Sequence, residues 1–543
     1  MGISGKNPGV SGNDPTVAPH RDSVGSSIAP PKSYFAGLLK PAAEPAPTLR
    51  LWAVYALEVL AIAVLRIPHD LDLFMFAFGD RGSWLVVQYL TAHGYRPTID
   101  FGFPYGLLPI MFGRAWFGLF GLTPVAFSTA MMTGGVAMAW GMARFASAMR
   151  LSRVGQMLMI IALPVAIQSS LPSLSHLIEA VLLCLALGEH SHGNRGAALA
   201  LTTAACFAKA ALGYLYGFLL IALIVADCWR GAQAGAKARM DWIALRRALM
   251  PAAVTGALLL AVIGSVYGVR PLTASLLPLN GMKIYKALHF GFFTPWSRTF
   301  WDLRGVSIGN YFATVAPFWM GSTVWLAIAG LWAGWRLWSS TGEDEPSRNR
   351  NEIIFCCAVL QTLFVLRFFG PPLSWTYYPY LLVMGVAASS VLNSGTAMVA
   401  VALTVVAFVA QVVSVSVAAA KWKISAPSPV TAGLWADADQ RAEWSTVAHL
   451  IAGHRTVAVG VAGCVSILFP DFEKPIGAYL VRDEATPSEV ERTIERIKTA
   501  DLVVRPASES IGDPISFWPE LTRTLDNLEV VWKGRIYQVC RRR

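Results

Sequence analysis

Apolar segments, each near the length of a membrane-spanning helix, follow one another from Leu51 to about residue 419. An α-helix needs about 20 apolar residues to cross the hydrocarbon core, where only helices and closed barrels satisfy every backbone hydrogen bond. The sequence therefore predicts a polytopic α-helical membrane protein. We predict about eleven spans, at 51–67, 123–147, 154–170, 174–189, 195–209, 211–228, 249–268, 311–337, 353–369, 375–392 and 396–419.

Composition and charge agree with this class. Hydrophobic residues make up 55% of the 543 residues, charged residues only 14%, and the mean hydropathy is +0.50, which excludes a soluble globular protein. The net charge of +11 comes from lysines and arginines in short segments between apolar runs, a pattern typical of loops beside anionic lipid headgroups. It indicates the lipid bilayer as a partner and argues against nucleic acid. The seven cysteines lack metal-ligand spacing, so we expect no metal site and no cofactor, with a divalent ion left open.

Residues 104–121 decide the predicted topology. They are apolar enough to cross but contain Pro109 and Arg114. If they crossed, the basic cluster at 144–153 would lie opposite the basic amino-terminal tail, against the positive-inside rule. We therefore predict an amphipathic helix along the outer interface, a disordered cytoplasmic tail at 1–50, a membrane domain at 51–420 with an outer acidic loop at 68–122, and an extracytoplasmic domain at 421–543.

The long apolar run at 195–228 is interrupted at Lys209 and Gly213. A single crossing would place the next basic segment outside, so we predict two spans joined near Lys209. A lysine within an apolar run is costly unless it has a partner or a water-filled site, which makes Lys209 a functional candidate. The alternative is a lysine at a helix end whose charged head reaches the interface.

After about Lys421 the composition becomes that of a small α/β domain. RTVAVGV, IGAYLV and DLVVRP predict strands, SEVERTIERIKTA and ISFWPELTRTL predict helices, and LEVVWKGRIYQVCRR predicts a hairpin around Lys533-Gly534. No Gly-rich phosphate loop or nucleophile motif is present. The domain is either a structural cap or a part that shapes a substrate cavity.

The outer loop carries aspartates among Gly, Pro and aromatic residues. In order it reads Asp80-Arg81, Gly94-Tyr95-Arg96-Pro97, Asp100-Phe101 and Pro104-Tyr105-Gly106-Leu107. This arrangement after a first span resembles the polyprenyl-phosphate-sugar-dependent GT-C glycosyltransferases, in the bacterial branch of the protein O-mannosyltransferases and lipid A aminoarabinose transferases. That group usually has Asp-Glu at the start of the loop and Pro-Pro-Leu at its end. Here Arg81 replaces the Glu and one proline is missing, while Lys209 stands where the group often has Lys-Gly-Pro.

The resemblance implies a GT-C-like bundle in the bacterial cytoplasmic membrane that transfers a hexosyl or pentosyl group. The donor would be a polyprenyl-phosphate-linked sugar, and the acceptor an envelope glycan, glycolipid or protein. The leaving group of such a donor is polyprenyl phosphate, whose charge is already stabilised. The enzyme must therefore mainly activate the acceptor hydroxyl and hold the phosphate. Asp80 matches the group's catalytic aspartate and is the predicted base. Asp70 and Asp72, at the end of the first span, compete for that role.

Other polar residues have weaker assignments. Asp100 is a candidate for acceptor positioning, or else it caps the following turn. Charged contacts to the donor phosphate are predicted from Lys209, Arg298 and Arg304. The residues predicted to line the cavity are Arg81, Tyr105, His176, Lys283 and Tyr285. The basic and aromatic residues of loop 269–310 equally suit interfacial anchoring. A polysaccharide polymerase or ligase and a lipid-linked sugar transporter remain as alternative functions.

Overall fold

The computed structural model describes residues 44–153 except 79, 155–163 except 158 and 162, 173–277 except 210–211 and 235–241, 322–339, 345–367, four residues between 405 and 413, and then 415–459, 464–477, 485–507 and 518–543. The predicted spans at 311–337 and 396–419 are described only in part. The predicted span at 375–392 lies outside the described residues. Nearly all of the predicted amino-terminal tail also lies outside them.

Helices dominate residues 44–367 of the described chain. In order they are α1 (Thr48–Leu65), α2 (Ile67–Asp70), α3 (Leu73–Ala77), α4 (Asp80–Ala92), α5 (Leu108–Phe120), α6 (Pro124–Ala148), α7 (Leu174–Ser191), α8 (Arg195–Ala208), α9 (Leu212–Ala234), α10 (Trp242–Tyr267), α11 (Val269–Leu276), α12 (Ser322–Ser339) and α13 (Glu345–Arg367). Within the described part of the chain, α1, α6, α7, α9 and α10 contain stretches long and apolar enough to span a membrane. The chain is thus an integral membrane protein by helix length and composition.

Glycines bring α6 and α7 into close contact. A Cβ built on Gly141 would lie 2.4 Å from the carbonyl oxygen of Cys184, and one built on Gly134 would lie 2.7 Å from Leu177. Both contacts join residues at the same sequence offset, so the two helices run in the same direction. Small residues let helix backbones approach in a membrane, where van der Waals packing replaces the hydrophobic effect between helices.

Helices α8 and α9 form an antiparallel hairpin with its tip at Lys209. Gly213 packs beside Ala205, and Gly217 lies beside Thr202. At the other end of the hairpin Arg195 pairs with an aspartate of α9. The structure divides 195–228 into two helices at Lys209, as the sequence indicated, and the membrane crossing of each stays a prediction. At 14 residues α8 is about 21 Å long, shorter than the hydrocarbon core of about 30 Å.

Helix α5 has 13 residues and is about 20 Å long, which is too short to cross the core. It packs against α4, where Gln88 Nε2 donates to the carbonyl oxygen of Ile110 at 3.4 Å. A Cβ built on Gly113 would lie 2.2 Å from the same glutamine side chain. Because α8 is of similar length, helix length does not separate the two segments, and the prediction that residues 104–121 do not cross rests on the positive-inside rule.

The bundle has two distinct ends. One end, which we call the loop end, contains the last residue of α1 and the tip of the α8–α9 hairpin. There the hairpin tip lies against residue 106, and Trp422 Nε1 donates to the carbonyl oxygen of Leu65 at 2.8 Å. At the opposite end, Ser147 Oγ donates to the carbonyl oxygen of Ala46 at 2.7 Å. The chain before α1 therefore lies at the opposite end. The acidic segment that follows α1, within residues 68–122, lies at the loop end together with the carboxy-terminal residues.

The carboxy-terminal elements rest on the loop end. They are β1 (Ser425–Pro427), β2 (Trp435–Asp437), α14 (Ala438–Ile451), β3 (Thr456–Ala458), α15 (Val465–Leu468), α16 (Pro487–Thr499), β4 (Leu502–Pro506), α17 (Pro519–Asp526), β5 (Leu528–Lys533) and β6 (Tyr537–Arg542). The main sheet has the order β3-β4-β6-β5, with β3 parallel to β4 and the other pairs antiparallel. The strand predicted over IGAYLV lies mostly outside the described residues. The hairpin around Lys533-Gly534 forms as predicted.

Candidate active site

The acidic segment after α1 is more ordered than the predicted loop. It folds into α2, α3 and α4, and Asp80 is the first residue of α4. Although α4 contains polar residues, it buries Trp84, Leu85 and Val86 completely. The predicted outer segment at 68–122 therefore contains α4, a helix that the polar composition concealed and that the tertiary burial of these apolar side chains stabilises.

Asp70 is held by basic neighbours. Its Oδ1 lies 2.8 Å from Nη1 of Arg81 and 3.5 Å from Nη2 of Arg66. Burial alone would raise the pKa of Asp70, but Arg81, a hydrogen bond with His69 and Arg66 together hold that pKa well below its usual range. A carboxylate with so low a pKa is a weak proton acceptor. Arg81, predicted to line the cavity, is itself buried in this pair.

Asp72 is the N-cap of α3. Its Oδ1 accepts from the backbone amides of Phe74 at 3.0 Å and Met75 at 3.2 Å, and its Oδ2 lies 3.2 Å from Lys421 Nζ. An aspartate at this position satisfies amides that the first turn of a helix leaves unpaired. Both alternatives to Asp80 as base thus have structural roles.

Asp100 closes a turn. Its Oδ2 accepts from the backbone amide of Arg96 at 2.7 Å and from the Nε of the same arginine at 3.1 Å. The alternative to acceptor positioning was a cap on the following turn, whereas these contacts close the preceding turn. Among the described residues, they do not place the carboxylate beside another predicted site residue.

Lys209 sits in a buried polar cluster at the loop end. Its Nζ lies 2.7 Å from His176 Nε2, and His176 Nδ1 lies 2.5 Å from Ser173 Oγ. Because an ammonium group only donates, Nε2 accepts and the imidazole proton resides on Nδ1, which donates to the serine. Only 7% of Lys209 is exposed. Two predicted site residues that lie 33 positions apart are therefore brought together.

Glu179, a member of the same cluster, is not among the site residues predicted from the sequence. Glu179 is buried, its Oε1 accepts from the backbone amide of Leu212 at 3.2 Å, and its charge interacts with that of Lys209. A buried cation needs such a counter-charge. The available signal was an acid inside the apolar run at 174–189. Since the two charges cancel, a phosphate bound here would need further cations.

Tyr105, predicted to line the cavity, joins the cluster to α4. The Nζ of Lys209 lies 5.7 Å from the centroid of its ring, and His176 meets the ring edge-on at 5.7 Å. On the other side the ring stacks with Trp84 at 6.4 Å. Trp84 follows Asp80 by one helical turn, so this aromatic contact connects the start of α4 with Lys209.

Gly106 allows the chain next to Tyr105 to reach the hairpin tip. Its amide donates to the carbonyl oxygen of Ala208 at 3.1 Å. A Cβ at this position would lie 2.0 Å from the carbonyl oxygen of Phe207, which belongs to backbone that cannot rotate away. The glycine therefore permits the contact that sets the separation between Tyr105 and Lys209.

We expect Gly106→Ala to destabilise the protein by about 1 to 3 kcal/mol, the usual cost of forcing an extra methyl group into packed structure. A lower melting temperature in detergent measures the effect. The matched control is Gly118→Ala on α5, because a Cβ there would meet nothing within 4 Å. Equal melting temperatures for the two variants would contradict the close contact at Phe207.

Four predicted site residues, Lys283, Tyr285, Arg298 and Arg304, lie outside the described residues, as does the side chain of Asp80. Their roles stay predictions. Among the described residues no group of three or more His, Cys, Asp or Glu side chains is arranged to hold a metal ion.

Comparison with known proteins gives one structural similarity. No protein-family model matches the chain, and no curated protein matches it. The crystal structure of ArnT from Cupriavidus metallidurans bound to undecaprenyl phosphate is similar over 89% of this chain and 97% of that chain, with 15% sequence identity and a TM-score of 0.46.

Proposed function

We propose that this chain is a membrane glycosyltransferase that moves a sugar from a polyprenyl-phosphate-linked donor to a cell-envelope acceptor at the loop end of the bundle. The observation that carries the proposal is the buried cluster of Lys209, His176 and Tyr105, joined through Trp84 to the helix that begins at Asp80. It supports a phosphate site and a carboxylate at the same end of a membrane bundle.

The cluster suits the donor phosphate. The ammonium of Lys209 lies at the loop end beside His176 and the ring of Tyr105. In a buried setting a charge-assisted hydrogen bond from the ammonium to a phosphate oxygen is about twice as strong as a neutral one. Because Glu179 offsets the charge of Lys209, the proposal assigns the remaining positive charge to Arg298 and Arg304.

Asp80 is the proposed general base. In the transfer step the acceptor oxygen attacks the anomeric carbon, the bond from that carbon to the phosphate oxygen breaks, and the polyprenyl phosphate leaves with the bonding electrons. The hydroxyl proton passes to the carboxylate of Asp80. Asp70 and Asp72 are less suited, because Arg81 binds the first and the amides of α3 bind the second.

A donor titration tests the proposal. We expect the purified protein in lipid nanodiscs to bind a polyprenyl-phosphate sugar with saturation and to release polyprenyl phosphate when an acceptor is present. A polyprenyl alcohol of the same length, which lacks the phosphate, is the matched control ligand. Equal binding of the alcohol and the phosphate-linked sugar would contradict the proposed phosphate site.

A polysaccharide polymerase or ligase is the second candidate, favoured by the basic and aromatic residues of loop 269–310. It would act on a lipid-linked oligosaccharide and give products that grow by whole repeats. The proposed transferase would add a single residue. Product mass therefore separates the two functions. A transporter is disfavoured, because it would place paired broken helices around polar sites near the membrane midplane.

We predict the membrane orientation from the positive-inside rule. The proposed topology has eleven spans, a cytoplasmic amino terminus and an outward carboxy-terminal domain. A reporter active only outside the cytoplasm should be active when fused after Ser425 and inactive when fused within 231–245. Both fusion proteins are expressed at matched levels in the same host strain. The reverse pattern of activity would place the candidate active site on the cytoplasmic side and exclude an outer-face transferase.

A further inference from the structure

The carboxy-terminal elements contact the acidic segment at several points. The backbone amide of Trp435 donates to the carbonyl oxygen of Leu71 at 2.8 Å. The ring of Tyr537 lies 4.4 Å from that of Phe78, centroid to centroid, and a Cβ built on Gly82 would meet Cys464. These residues come from different elements of the domain, so the domain is docked on the segment rather than tethered beside it.

One group of contacts reaches the chain next to Tyr105. Glu489 of α16 is fully buried, and its Oε2 accepts from the backbone amide of Gly102 at 2.9 Å across 387 positions of sequence. Arg492, one turn later, donates through Nη2 to the carbonyl oxygen of Asp100, and its guanidinium lies 5.8 Å from the centroid of the Tyr95 ring. Both residues hold backbone groups of residues 100–106, which we call the strap.

The other end of the strap is fixed to the membrane bundle. Gly106 donates to Ala208, the residue before Lys209. Between these two attachments the strap carries Tyr105, whose ring lies against Lys209. A chain of three residues spans at most about 11 Å, so an anchor at Gly102 restricts where Tyr105 can lie.

The hydrogen bond from the Gly102 amide stabilises the buried carboxylate of Glu489. A buried carboxylate is costly unless hydrogen bonds replace its lost hydration, and a bond to an ionised acceptor is stronger than one between neutral groups. The same Oε2 accepts from the amide of Thr486 at 3.3 Å as half of the capping box of α16. Glu489 therefore uses one oxygen both to cap its own helix and to bind the strap.

We propose that Glu489 and Arg492 are positioning residues of the membrane site, which hold the strap so that Tyr105 packs on Lys209. The carboxy-terminal domain thereby takes part in donor binding without touching the donor. This inference rests on the proposed function for its effect on the donor, but the anchoring of the strap stands apart from it.

Hydrogen–deuterium exchange of the full-length protein tests the anchoring. Glu489→Ala removes the acceptor, and we expect the Gly102 amide to exchange about tenfold faster or more, as suits the loss of a hydrogen bond to a charged group. Thr486→Ala is the matched control, because it removes the other half of the same capping box without touching the strap. Glu489→Gln keeps an acceptor oxygen and should restore slow exchange.

Donor kinetics test the consequence. We expect Glu489→Ala to raise the donor KM about tenfold with a smaller change in kcat, and Thr486→Ala to leave both near the values of the unmodified protein. Unchanged Gly102 exchange in Glu489→Ala would overturn the anchoring, and so would equal effects of the two alanine variants. Faster exchange with an unchanged donor KM would overturn the positioning role. If the unmodified protein bound no donor, the proposed function would fail, while the exchange result would still decide whether the strap is anchored.

Discussion

Asp80→Asn should reduce sugar transfer by about 10²- to 10⁴-fold, the range for loss of a general base. Asparagine has nearly the size of aspartate but cannot accept the proton of the acceptor hydroxyl. We therefore expect a protein that is still inserted, folded and able to bind donor. Release of polyprenyl phosphate in the presence of an acceptor measures the rate, and donor titration of the same sample checks binding.

Asp72→Asn is the matched control for this prediction. Asparagine caps a helix about as well as aspartate, so the start of α3 should stay intact. The ion pair with Lys421 is lost, but the side-chain oxygen of asparagine can still accept from the amides of Phe74 and Met75. We expect near-normal transfer from Asp72→Asn. Normal transfer by Asp80→Asn together with a loss in Asp72→Asn or Asp70→Asn would move the base to one of those residues.

Removal of the Lys209 ammonium should weaken donor binding by about 10- to 150-fold, equivalent to about 1.5 to 3 kcal/mol for a hydrogen bond to a charged group. Lys209→Met alone would leave the Glu179 carboxylate buried without its counter-charge, which destabilises a protein strongly. The informative variant is therefore Lys209→Met combined with Glu179→Gln, which removes both charges and keeps similar side-chain volumes. Donor titration in detergent measures the change.

Glu179→Gln alone is the first control, because it keeps the lysine and removes its counter-charge. This variant leaves the buried ammonium without its carboxylate partner, so we expect it to be destabilised in the absence of donor, as Lys209→Met would be, and to regain stability when the donor phosphate supplies the missing negative charge. Arg298→Met is the second comparison. If the double variant bound donor normally while Arg298→Met did not, Lys209 would be a structural residue and the phosphate site would lie in loop 269–310.

The hairpin at Lys209 was predictable from the sequence, because charge and length constrain a membrane chain strongly. A single span over 195–228 would have reversed the sidedness of every later basic segment. The same rule predicts that α5 does not cross. The close approach of Lys209 and His176 was not predictable, because their 33-residue separation along the chain carries no local signal.

Local patterns failed in two places for different reasons. Helix α4 was not specified within the predicted outer segment, because its stability comes from the burial of Trp84 and its neighbours in the folded protein. Helix α14 was missed although Asp437 and Gln440 form a capping box at its start, a signal visible in the sequence. The contact between Glu489 and Gly102 has no such signal, since only the docked domain creates it.

Mass analysis of envelope glycans and lipid-linked sugars is the most direct measurement of the central claim. A strain that lacks this protein should lose the mass of one sugar residue from an envelope acceptor and accumulate the corresponding polyprenyl-phosphate sugar. Complementation with the unmodified chain should restore the acceptor mass, and complementation with Asp80→Asn should not. Unchanged acceptor masses in the deletion strain, or full restoration by Asp80→Asn, would contradict a glycosyltransferase that uses Asp80 as its base.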